Sequence, residues 1–150
     1  MTARRRLAAT LSAVAAVAAL TGCERPAPIV TVVSGTHSDW KEADVYCFDG
    51  QPLSSGDCAV RDDEPVRIPV KDGRIGIDVS KDVVERGWYV EVIGPTRQPE
   101  SSEVFQDRHY FPLRVGVPPE GLLLTVRTAG EGGDPRNPTG EWTFELVPAE

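Results

Sequence analysis

The chain has 150 residues, with 23 acidic side chains against 16 basic ones and a net charge of −7. That length suits one domain with a sizeable core. The acidic balance repels phosphate backbones and anionic headgroups, which excludes DNA and RNA as partners, and it leaves room for cationic ligands.

The N-terminus carries the three parts of a signal peptide in order. Arg4, Arg5 and Arg6 form a basic cluster, and Leu7 to Leu20 is an uncharged apolar run interrupted only by Thr10 and Ser12. The run falls short of the roughly 20 residues that span a bilayer. It has no polar face, unlike a surface helix of a domain. Leu20-Thr21-Gly22-Cys23 then resembles the lipobox of bacterial lipoproteins. The resemblance implies a diacylglyceryl group on the Cys23 thiol and peptidase cleavage between Gly22 and Cys23. A helical signal peptide over residues 1–22 and a chain held by lipid at the outer face of the cell membrane are therefore expected. Two acyl chains hold a protein at a bilayer where one does not. Three bases and no acid lie before Cys23, so the cleaved chain carries a net charge of −10.

Three cysteines in an exported chain leave one thiol to explain. The lipobox takes Cys23, and Cys47 and Cys58 remain as a candidate disulfide in an oxidising compartment. Two buried free thiols are the alternative. A zinc site is disfavoured, because the two cysteines are far apart in sequence with no histidine between them.

Glu24 to Pro28 contains two prolines and reads, with Cys23, as a short stiff tether over residues 23–28. From Ile29 the pattern changes to the period of two that marks strands. Ile29 to Val33 is a β-branched strand ended by Ser34-Gly35, and His37 to Ala43 is either loop or one helical turn. Val45 to Phe48 is short and extended. Val66 to Val70 and Arg74 to Val79 alternate on either side of Lys71-Asp72-Gly73, a strong hairpin signal. Pro69 lacks an amide hydrogen, which assigns its strand to a sheet edge or turns that position outward. Ser80 caps one helical turn through Arg86 that Gly87 stops. Trp88, Val90 and Val92 share a strand face, Gly94 to Ser102 is loop, and Val104 to Phe111 is extended. Leu122 to Val126 and Glu141 to Leu146 are strands joined by a loop over Gly130 to Gly140. The expectation is an all-β, immunoglobulin-like antiparallel sandwich of seven to eight strands over residues 29–150, with no repeat and no second domain.

Several segments together resemble the small actinobacterial lipoproteins grouped as a domain of unknown function. They are the lipobox cysteine, the Val-rich first strand, Tyr46-Cys47 with Cys58, Ile77 to Val84 leading to Gly87-Trp88, Asp107-Arg108-His109-Tyr110-Phe111, and Gly140-Glu141-Trp142-Thr143-Phe144. The resemblance implies an envelope location and a β-rich fold, and it assigns no catalytic or binding residue.

No catalytic constellation is visible. His37 and His109 are the only histidines, and no serine lies in a Gly-x-Ser-x-Gly elbow. Asp107 and His109 share one face if their segment is extended, which suits a structural hydrogen bond better than catalysis. Asp57, Asp62, Asp63 and Glu64 cluster without the spacing of a calcium loop. No metal or cofactor is expected. Trp88, Phe111, Trp142 and Phe144 fall at core phases, whereas Trp40, Tyr89 and Tyr110 form a candidate recognition surface. The expected function is a non-enzymatic, lipid-anchored binding or scaffolding module with an envelope protein or glycan as partner. A cell-envelope hydrolase and a small-ligand carrier are the alternatives.

Overall fold

A computed structural model describes residues 25–55, 57–95 and 98–149. The expected signal peptide and the expected cleavage and lipidation site at Gly22–Cys23 lie outside the described residues. The chain forms β1 (Ile29–Ser34), β2 (His37–Glu42), β3 (Val45–Tyr46), β4 (Ala59–Val60), β5 (Val66–Val70), β6 (Arg74–Val79) and β7 (Trp88–Ile93), with apolar and polar residues alternating in β1 and β5. They continue in β8 (Glu100–Ser101), β9 (Tyr110–Arg114), β10 (Leu122–Thr128) and β11 (Gly140–Pro148). The short helix α1 (Lys81–Arg86) sits where Ser80 and Gly87 place it, although the Ser80 hydroxyl makes no capping bond.

The strands form a four-stranded sheet in the order β2-β1-β6-β9 and a seven-stranded one in the order β4-β3-β11-β10-β7-β8, with β5 added beside β11. The all-β sandwich is thus the observed fold. β1, β6 and β9 in one sheet and β7, β10 and β11 in the other enclose the core, with Trp88 of β7 fully buried. Among the described residues there are eleven strands rather than the expected seven to eight. The surplus comes from β4 and β8, two-residue rim pairings, and from β2, which occupies the stretch read as loop or helical turn.

Two local expectations fail for tertiary reasons. The Asp72-Gly73 turn forms, with both residues at positive φ, but β5 and β6 do not pair across it. β5 runs parallel to β11 while β6 joins β1 and β9, so the chain crosses from sheet to sheet at the turn. Ile68 and Val70 then face Ile75, Ile77 and Val79 through the core. A hairpin would have set these runs side by side in one sheet. Pro69 does stand on an edge strand. The second failure is the extended reading of Val104 to Phe111: Asp107 has a φ of 55°, and the strand begins only at Tyr110. Asp107 and His109 therefore do not share a strand face, and Phe111 is only partly buried.

Trp88, Trp142, Phe144, Ile68, Ile77 and Leu124 are fully buried between the sheets. Each buried indole N–H must find an acceptor. Trp88 Nε1 donates to the Arg108 carbonyl at 2.7 Å and Trp142 Nε1 to the Pro28 carbonyl at 2.9 Å. The second bond, with Ala43 N donating to the same carbonyl at 3.2 Å, ties the end of the expected tether into the core.

Candidate functional site

The outer face of the four-stranded sheet carries the side chains that folding leaves exposed. Register sets Trp40 of β2 opposite Thr31 of β1, Thr31 opposite Asp78 of β6, and Asp78 opposite Tyr110 of β9. Trp40 and Tyr110 are thus the two ends of one cross-strand row, about 14 Å apart at three strand spacings. They are 58% and 52% exposed. Ile29, Val33 and Pro112 share this face, since alternation sends Val30, Val32, Ile77 and Phe111 the other way. Its charged residues balance: Glu42 and Asp78 against Arg74 and Arg114. On a chain this acidic, a neutral face with aromatic ends is locally distinct.

Gly76 explains how Tyr110 lies. A Cβ on Gly76 would overlap the ring at Oη, Cε2 and Cζ. The ring therefore rests along the sheet over a residue without a side chain and turns its other face outward. The Trp40 main-chain amide donates to Asp39 Oδ1 at 2.8 Å. Next to it Lys41 points inward, buried, pairs with Asp44 and donates to the Thr143 carbonyl at 3.3 Å. An inward lysine on this edge strand opposes pairing with another chain.

Tyr89 does not belong to this surface. It lies on the outer face of the other sheet, beside Arg127, and is 4% exposed beneath the β10–β11 loop. Its hydroxyl donates to the Pro135 carbonyl at 2.9 Å, and burial raises its pKa against the lowering pull of Arg127. Phase alone predicted exposure on a solvent-facing side; a long loop folded over that side overrides it.

Cys47 and Cys58 are joined by a disulfide, with Cα atoms 4.3 Å apart. It pins the β3–β4 segment at the rim of the larger sheet. Arg86 seals the same corner, donating to the Cys47 and Phe48 carbonyls at 2.8 and 3.0 Å with its guanidinium over the Tyr46 ring.

The two histidines stand apart. His37 pairs with Ser34 at one end of β1, while His109 meets the Val79 carbonyl, on the strand residue opposite Val30, at the other end. Asp57, Asp62, Asp63 and Glu64 are exposed. Among the described residues, no three His, Cys, Asp or Glu side chains come close enough together to hold a metal ion.

Thr31, Gly76 and Asp78 were missed as members of the site. Alternation places each on an outer face, but which strands adjoin is decided by contacts distant in sequence. Comparison with known proteins adds no label: no family model, curated protein or solved structure matches the chain.

Proposed function

We propose that the protein is an exported, lipid-anchored binding module of the cell envelope, non-enzymatic, with the outer face of the four-stranded sheet as its recognition surface. The observation that carries this reading is the Trp40–Thr31–Asp78–Tyr110 row, two exposed aromatic rings at the ends of a polar strip on a charge-balanced face. Exposed rings of this kind offer large contact area with little side-chain entropy to lose. The anchor rests on the three-part N-terminus and Cys23. The locked Pro28 lies five residues beyond Cys23, so the domain would lie within about 18 Å of its lipid. Among the described residues, no helix is long and apolar enough to cross a membrane.

In-cell crosslinking of the full chain tests both parts, alongside Cys23→Ala and the anchored double variant Trp40→Ala/Tyr110→Ala. The expected result is one envelope protein or glycan captured by the anchored chain and lost from both variants. Acylation that persists in Cys23→Ala would end the anchor assignment. Undiminished capture by the aromatic variant would remove the face from the reading.

A further inference from the structure

Arg74 opens β6 and Arg114 closes β9, and the antiparallel register sets them directly opposite each other with both side chains exposed on the outer face. Like charges in that position destabilise a sheet. Nothing in the fold offsets them: among the described residues, neither guanidinium makes an ion pair, a side-chain hydrogen bond or a stacking contact. Every other described arginine has a partner. Arg25, Arg61, Arg67, Arg127 and Arg136 pair with carboxylates, Arg86 donates to main-chain carbonyls, and Arg108 lies over the Phe105 ring. In a chain where acids outnumber bases 23 to 16, the two arginines left unpaired among the described residues face each other.

The pair borders an open groove of about 700 Å³ that Val33, Gly76, Tyr110 and Pro112 also line. Guanidinium forks match carboxylate and phosphate oxygens. The groove is far larger than a bare anion, so its occupant has a body as well as a charge. The outward face of the Tyr110 ring and the shallow, open walls suit a flat hydroxylated ring better than a buried hydrocarbon. The surrounding negative field works against polyanions, which limits the charge to about one group.

We propose that this groove binds an acidic saccharide, its carboxylate or phosphate ester held between Arg74 and Arg114 and its ring stacked on Tyr110. The proposal deepens the recognition-face reading and rests on it.

Calorimetry on the full chain in detergent, at constant ionic strength, tests it with three probes: cellobiouronate, glucose 6-phosphate and neutral cellobiose. One of the acidic sugars should bind saturably, and which one identifies the charged group. Cellobiose should bind about tenfold more weakly or worse, and Arg74→Ala/Arg114→Ala should lose about tenfold for the acidic sugar. That variant should melt no lower than the parent, because a like-charge opposition is relieved. Three results would overturn the proposal: no saturable binding of either acidic sugar, equal binding of cellobiose, or unchanged affinity in the double variant. Binding to phosphatidylglycerol vesicles that requires both arginines, with no sugar bound, would reassign the groove to a lipid headgroup. Capture in cells that needs Trp40 and Tyr110 but neither arginine would overturn the arginine site alone and leave the face standing.

Discussion

The two outer faces of the sandwich solve the same problem in opposite ways. On the larger sheet Arg127 donates to Glu141 at 2.8 Å and to Glu91 at 2.7 Å, and Arg67 pairs with Glu145 at 3.0 Å. Burial pulls the Arg127 pKa down, but the hydrogen bond to Glu141 and the charges of Glu141 and Glu91 outweigh it and raise the value. The loop between β10 and β11 covers Tyr89. On the smaller sheet the rings of Trp40 and Tyr110 stay open, and among the described residues Arg74 and Arg114 meet no acid. One face is neutralised within the fold. The other keeps its aromatic and cationic groups free of internal partners, and that difference marks it as the face available to something outside the chain.

Mutations can break this comparison. Cys47→Ala should have the largest effect, a loss of about 2–5 kcal/mol in chemical denaturation, because the bridge closes the rim of the larger sheet. An unchanged unfolding midpoint would mean that the rim bears no load. Arg127→Ala should cost about 2 kcal/mol. Its side chain is 27% exposed, between the regimes of surface and buried pairs, and its removal leaves Glu91 and Glu141 without their cation. Trp40→Ala, on the open face, should change stability by no more than about 0.5 kcal/mol despite the size of the side chain removed. If Trp40→Ala destabilised as much as Arg127→Ala, the ring would be a structural element and the contrast between the faces would collapse.

The smallest effect is one of pH. Hydrogen bonds from the Arg136 side chain and backbone, with a further one from Asn137, hold the Asp134 carboxyl at about 2, below its ordinary 3.8. A pKa depressed by folding gives a contribution that is complete above the unfolded value and is lost as pH falls through about 2. The loop over Tyr89 should therefore keep its local order from neutral pH down to about 4 and loosen below that. Following the Asp134 carboxyl carbon by NMR checks this; a midpoint near 3.8 would mean that the Arg136 contacts do not form in solution.

Much of the architecture was legible because strand alternation is local. β1, β5, β6, β7, β10 and β11 lie close to where period-two patterns put them, and α1 ends at the glycine that permits a positive φ. The cysteine pairing followed from counting thiols. β2 was harder to read, since inward Lys41 replaces an apolar residue in the alternation. Trp40 and Tyr110 stood out as rings outside clear core phases, whereas nothing local warned that the loop over Pro135 would cover Tyr89.

The sequence by itself determined strands β1, β5, β6, β7, β10 and β11 and the side of each that turns inward, the turn at Asp72-Gly73 and the acidic balance of the chain. These depend on side-chain alternation, backbone preference and charge count within a few residues. Only the tertiary structure decided that β5 joins β11 rather than β6, that Trp40 and Tyr110 share a row, and that Arg74 meets Arg114. Each of these is a pairing between segments far apart in the chain, chosen by which apolar faces can be buried together in one core.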